Sequence, residues 1–284
     1  MSQDGRKPRT IRVGHSPDPD DAFMFYGLAT GRVETPGYVV VQALHDIETL
    51  NRMALEGTIE VTAVSIHAYA YLAERYLLLS CGASMGDGYG PIVITRRPAT
   101  VDELKRLTIA IPGQLTSAAL ALRLRLGEVR TTVLPFDQIL PAVAAGRQEA
   151  GLLIHEGQLT YADSGVHRVI DLGAWWKEET GGLPLPLGGN AIRRDLGAEV
   201  IAEIGGFLRR SIELGLRERQ GALTYAMDFG RGLDRSLTDR FVGMYVNDYT
   251  LDYGEKGRRA IELFLKRAHE AGLIPHRSAV EFAG

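Results

Sequence analysis

Two rhythms alternate along this chain. Short runs of β-branched and aliphatic residues read as buried strands, and between them apolar residues return every three or four positions, as on amphipathic helices. Ile11–Ser16 reads as a first strand, followed by a helix carrying Phe23, Met24, Tyr26 and Leu28, started by Asp20 or Asp21 and ended near Gly31. Strands at Tyr38–Leu44, Val61–Ile66 and Pro91–Thr95 alternate with helices at Asp46–Glu56, stopped by Gly57, and His67–Arg75. A second cycle sets helices Val101–Arg106, Thr116–Leu126 and Gln138–Ala145 among strands Thr108–Ile111, Thr131–Leu134, Ala150–Ile154 and Val166–Leu172. The last third holds a returning strand, Leu187–Arg193, then helices over Ala198–Arg217, Leu223–Phe229, Leu237–Val246 and Arg258–Ala271.

This alternation predicts an α/β fold with mostly parallel strands. The two cycles and the returning strand predict two lobes joined by a crossover: residues 1–96 begin a large lobe, 97–182 form a smaller one, and 183–284 complete the large lobe. Folds of this kind bind small molecules in the cleft between lobes, often closing about a hinge.

Composition narrows the function more than the fold. The 284 residues carry 32 basic and 35 acidic side chains, a net charge of −3, which offers no general field for nucleic acid. The single cysteine, Cys81, excludes an internal disulfide and multi-cysteine metal or redox sites, and it follows an apolar run as core filler would. No run of about 18 apolar residues predicts a membrane span. The first residues have positive charge but no apolar segment of signal-peptide length, so a cytoplasmic protein with a small-molecule substrate is expected if Met1 is the native start.

The candidate chemistry gathers at strand ends, where ligands bind in open α/β sheets. Foremost is Gly151–Glu156, an apolar strand running into His155. A histidine there is either a general acid or base or a hydrogen-bonded residue of the sheet edge. Glu156 after it does not complete a zinc motif, because the fifth position of the pattern is Leu159. In Pro112–Ala118, Thr116 or Ser117 caps a helix, whose free backbone N–H groups suit a carboxylate or phosphate. Thr62–Ser65 ends another strand in a hydroxyl that either binds a ligand or caps the next helix. The acidic loop Ser16–Asp21 suits a helix start better than a metal, and Asp18, Glu156 and Asn190 are candidates to face the cleft. The glycine-rich Gly82–Gly90 precedes a strand instead of opening a helix, so it reads as a connection or hinge and not as a dinucleotide loop. Trp175 and Trp176 read as lobe packing or as a stacking surface. No residue cluster calls for a metal or other cofactor.

Several blocks taken together, HSPDPDDAFMFYGL, HDIETLNRMALEG, VTAVSIHAYA, PGQLTSAALAL, FDQILPAVAAGRQEAGLLIHEGQLTY and YVNDYTLDYGEKGRRAI, resemble one family from about Ile11 to Gly272. It is the 1,4-dihydroxy-6-naphthoate synthase family of the futalosine route to menaquinone. The segment Thr180–Gly181–Gly182–Leu183 departs from it by one extra glycine. The resemblance implies a periplasmic-binding-protein type II fold and a lyase acting on cyclic dehypoxanthinyl futalosine. It implies His155 as proton acceptor, with substrate bound at Ala63, Val64 and Ser65 and at Ser117 and Ala118; Thr116 joins the expected substrate-binding residues from its place in the same turn. The alternatives are a small-anion binding protein, which would need an export signal or anchor, and a chorismate dehydratase on the same fold.

Overall fold

The computed structural model describes residues 7–275 and 279–283. Its strands, in chain order, are β1 (Arg9–His15), β2 (Tyr38–Leu44), β3 (Val61–Ser65), β4 (Tyr76–Leu79), β5 (Ser84–Gly86), β6 (Ile92–Thr95), β7 (Thr108–Ile111), β8 (Arg130–Val133), β9 (Ala150–Leu153), β10 (His167–Asp171), β11 (Leu185–Arg193) and β12 (Phe282–Ala283). They form two sheets. The larger runs β12-β4-β11-β3-β1-β2, with β5 on the side of β11, and the smaller runs β10-β6-β9-β7-β8.

The sheets are less parallel than the alternation predicts. Strands β2, β1 and β3 are parallel, as are β8, β7 and β9. Strand β11 lies antiparallel to β3, β4 and β5, and β6 lies antiparallel to β9 and β10. Both exceptions flank the passages between lobes, where the chain enters a sheet from the other lobe and not through a right-handed crossover helix. The first passage is therefore at Gly90–Pro91. Strand β6, expected in the large lobe by a boundary after residue 96, belongs to the small sheet. The return passes through the helix Leu172–Glu179, which the apolar rhythm missed. Trp176 on this helix is fully buried, with its indole N–H donating to Pro184 O at 3.0 Å, so it packs lobes instead of stacking a ligand. Gly173 lies where the passages touch: a Cβ there would stand 1.8 Å from Tyr89 O, which only glycine avoids.

Local signals set most element ends. Asp46 caps Ile47–Glu56 by accepting from Glu48 N and Thr49 N, and Gly57 ends that helix in the left-handed region. Thr100 and Glu103 form a capping box. A core cluster running through both lobes joins Tyr69, Leu120, Trp176 and Phe264. A second packs Pro19–Ala29 and Ala198–Arg217 on the large sheet, and a third lies under the small sheet around Ile94, Ile139 and Leu153. Among the described residues, no helix is long and apolar enough to cross a membrane.

The helix pair in the large lobe depends on Ser211. Fully buried, its hydroxyl donates to Met24 O at 2.7 Å and accepts from Gly27 N at 3.0 Å. Gly27 opposite admits this approach, since a Cβ would come within 3.1 Å of Ser211 Cα. Ser211→Ala is expected to lower the unfolding free energy by about 1–3 kcal/mol in urea titration, the cost of unpairing buried polar groups. A change under about 0.5 kcal/mol would show that the contact is dispensable.

Candidate active site

A cavity lies between the lobes, with about 720 Å³ of empty space, part of it open to solvent. It brings together Ala63, Val64 and Ser65 from β3, Thr116, Ser117 and Ala118 from the small lobe, and Asp18 and Asn190. Apolar walls come from Met24, Ile47, Val64, Ile154 and Leu187.

The Thr116 turn is built by capping. Thr116 Oγ1 accepts from Ala119 N at 3.2 Å and donates to Gly113 O at 3.0 Å, starting the helix Ser117–Leu126. The Ser117 hydroxyl, expected to hold a ligand oxygen, is already used. It donates to Leu187 O at 2.5 Å and accepts from His67 N at 3.1 Å, tying the small lobe to the large. What this turn offers the cavity is the pair of backbone N–H groups of Ser117 and Ala118 at the first helical positions. His67 behind it is buried, with its ring facing Thr116 O at 3.3 Å, and burial brings its pKa down to about 4. Gly113 is needed for a second tie, since a Cβ would stand 2.2 Å from Glu48 Oε2, which accepts Leu115 N at 3.1 Å.

Ser65 is held from behind by Asn51, which donates to its hydroxyl at 3.0 Å and accepts its backbone N–H at 2.9 Å. This leaves the Ser65 hydroxyl proton without an acceptor among the described residues.

His155 and Glu156 do not line the cavity. Ile154 does, and the histidine ring lies beyond it, against Phe136 at 4.9 Å between centroids. His155 Nε2 is 2.9 Å from Phe136 O and Nδ1 accepts from Gly157 N at 3.1 Å, so the resting ring is the neutral Nε2–H tautomer, engaged at both nitrogens. Position at a strand end is therefore not enough to aim the ring inward, because the following short helix Gly157–Thr160 offers it a nearer partner. Glu156 Oε2 stands 3.5 Å from Nδ1, buried and with no hydrogen-bond partner. Burial acts to lower the pKa of His155, but the Glu156 carboxylate outweighs it and the net shift is upward. Glu156 is the converse case: burial works upward, yet His155 and Arg231 hold it at about 2.

Arg231, which drew no notice in the sequence, ties these parts together. It donates to Asp18 Oδ1 at 2.8 Å, to Glu156 Oε1 at 2.9 Å and to Pro17 O at 3.1 Å, with its guanidinium over the Phe136 ring. It thus bridges the lobes. It is also the one non-glycine with positive φ among the described residues, at 46°. Tyr245 makes a similar bridge, donating to Gln158 Oε1 at 2.9 Å. Sequence patterning could not single out either, since both act through partners far away in the chain.

The acidic loop splits by role. Asp18, at the N-cap of Pro19–Ala29, is committed to Arg231 and does not cap the helix. Asp21 accepts from Ser16 N at 2.7 Å. Asp20 lines the cavity and is only partly buried at its surface. Burial raises its pKa well above the ordinary carboxylate range, and the charges of Asp21 and Asp18 add to the rise. Cys81 is buried, with burial raising its thiol to about 11, so it is inert core.

A carboxyl whose pKa is raised on folding costs stability above that folded pKa and none below its unfolded value near 3.9. Asp20→Asn is therefore expected to raise the melting temperature at pH 7 by about 2–4 °C, the response of a chain this size to ~1 kcal/mol. Scans repeated at lower pH should show the gain shrinking to nothing below about pH 4; a gain independent of pH would disprove the assignment.

Compared with known proteins, residues 11–270 match the family model described as "Menaquinone biosynthesis". The chain is 43% identical over 263 residues to the 1,4-dihydroxy-6-naphthoate synthase of Thermus thermophilus, covering 93% of this chain and 95% of that one. It is 37% identical over 275 residues to the enzyme of the same name from Streptomyces coelicolor, covering 94% and 95%. A crystal structure of an Archaeoglobus fulgidus protein superposes with a TM-score of 0.89 at 48% identity, covering 93% of this chain and 98% of that one. The alkanesulfonate-binding protein of Xanthomonas axonopodis, bound to MOPS, superposes at 0.72 with 15% identity over 97% and 98%, a likeness of fold alone. This two-lobed α/β chain has the periplasmic-binding-protein fold and belongs to the menaquinone biosynthesis enzyme family, alongside those 1,4-dihydroxy-6-naphthoate synthases.

Proposed function

We propose that this protein is a 1,4-dihydroxy-6-naphthoate synthase: a lyase that takes cyclic dehypoxanthinyl futalosine, breaks a carbon–carbon bond and releases the naphthoate. The observation that carries this reading is a cavity between the lobes flanked by Ala63–Ser65 on one and Thr116–Ala118 on the other. Apart from Thr116, those are the positions at which the family resemblance implies substrate contact.

The roles follow from what each group has left to give. The free N–H groups of Ser117 and Ala118 hold the substrate carboxylate at the helix start. The Ser65 hydroxyl donates to a second oxygen, and the apolar walls hold the ring faces away from water. His155 removes the proton. To do so its ring leaves Phe136 O and Gly157 N–H, takes a proton from water at Nδ1 and donates it to the unpartnered Glu156 Oε2, and gives its Nε2 proton to water, freeing Nε2 as the base. The Arg231 clamp on Glu156 Oε1 keeps that carboxylate in place during the exchange. Aromatisation of the product supplies the driving force, so the protein needs only to orient the substrate and manage protons.

Incubating the purified protein with cyclic dehypoxanthinyl futalosine should yield 1,4-dihydroxy-6-naphthoate, and absence of product would overturn the activity. His155→Ala should bind substrate but lose turnover by at least about 10²-fold. Turnover within a few-fold of wild type would remove His155 from the mechanism.

The pH profile checks the base separately. A base must be unprotonated to act, and the His155 pKa is raised above the ordinary 6.5. The acid limb of kcat/KM should therefore lie above pH 6.5, and Glu156→Gln should move it to lower pH. An unmoved limb would show that Glu156 does not tune the imidazole.

A further inference from the structure

One polar group in the cavity wall is buried without a partner. Asn190 lies on β11 opposite Ala63 of β3 and is 1% exposed. Its amide nitrogen donates to Gly82 O at 3.2 Å, which fixes the orientation of the amide. The approach is tight: Gly82 has φ of +83°, and a Cβ there would stand 2.2 Å from Asn190 Nδ2. The other end of the amide, Oδ1, has no hydrogen-bond partner. Such an acceptor is costly to bury and rare in native structures.

The strand register says what this acceptor is paired with in use. Along β3, Ala63 and Ser65 project to one face, and Asn190 opposite Ala63 shares that face. Gly188, opposite Ser65, has no side chain and leaves space between Asn190 and the serine. Ser65 brings a hydroxyl proton with no acceptor, and Asn190 brings an acceptor with no donor. A ligand carboxylate cannot donate and an ammonium cannot accept. A hydroxyl does both.

We propose that Asn190 is a specificity-determining residue that reads a ligand hydroxyl, its Oδ1 accepting the hydroxyl proton while Ser65 donates to the same end of the ligand. This rests on the naphthoate reading above. It adds to that reading the residue that distinguishes a hydroxylated ring from a bare one.

The test is calorimetric titration of 1,4-dihydroxy-6-naphthoate and of 2-naphthoate, which keeps the rings and the carboxylate but lacks the hydroxyls. Asn190→Ala should weaken the dihydroxy compound about tenfold and 2-naphthoate by less than about twofold. Asn190→Asp keeps an acceptor but loses the amide donor to Gly82. It should retain the preference for the dihydroxy compound, and it carries the test if Asn190→Ala fails to fold. Equal weakening of both ligands in Asn190→Ala, or loss of the preference in Asn190→Asp, would overturn the assignment of Asn190 alone. Binding of neither naphthoate by the wild type would overturn the functional reading and this assignment with it.

Discussion

The Ser117 hydroxyl is the contact on which the site depends. It joins three elements that are distant in sequence: the small-lobe helix it begins, β11 through Leu187 O, and the start of Ile66–Leu72 through His67 N. Because both its hydrogen-bonding functions are taken, the helix start is held in place against the large sheet. The free N–H groups of Ser117 and Ala118 are then fixed in direction before any ligand arrives. Preorganised donors of this kind bind without paying to be ordered. The burial of Leu120, Trp176 and Tyr69 in one shared cluster packs the lobes together, and the lobes are also tied elsewhere. There the ties are single side-chain bridges, from Arg231 to Glu156 and from Tyr245 to Gln158.

Charge is handled with the same economy. Three aspartates stand near the cavity mouth, and two of them are neutralised or hydrogen-bonded by Arg231 and Ser16. Arg231 adopts a left-handed backbone to reach its partners, a conformation that costs free energy and persists only where its surroundings enforce it. Asp20 has no side-chain partner of this kind, so its burial is a net cost to the fold. A cost placed on the cavity wall is the pattern of a site in which stability has been given up for function.

Much of the architecture was legible because local rules sufficed. The Ala198–Arg217 helix and the Tyr38–Leu44 and Thr108–Ile111 strands stand where the apolar periodicity places them, and Thr116 and Gly57 act as the caps they resemble. What escaped was non-local. Strand β5 hid in a glycine-rich stretch because its three residues are stabilised by β11 and not by propensity. The antiparallel setting of β6 and β11 follows from the path between lobes, which no periodicity encodes. In the site, spacing could place Ser65 at a strand end and Ser117 at a helix start, but not say which hydroxyl was already spent. Arg231 acts on Asp18 and Glu156 from far away in the chain, and only the fold brings the three together.

A cleft lined by buried polar groups has to satisfy their hydrogen bonding. Ser117, Asp18 and Asp21 do so by pairing with groups of the protein, which spares the fold the cost of buried, unsatisfied atoms. A ligand cannot compete cheaply for those groups; it gains most from the ones left over. These are the Ser117 and Ala118 N–H groups, the Ser65 hydroxyl proton and Asn190 Oδ1, and they lie around one cavity. His155 is the instructive exception, because its two bonds are to backbone groups of its own lobe while an unpartnered carboxylate oxygen waits 3.5 Å away. Exchanging Gly157 N–H for Glu156 Oε2 trades a neutral hydrogen bond for a charge-assisted one, which is the stronger kind. The ring is thus held idle by weak bonds and has a stronger one within reach, a balance that protonation itself can tip.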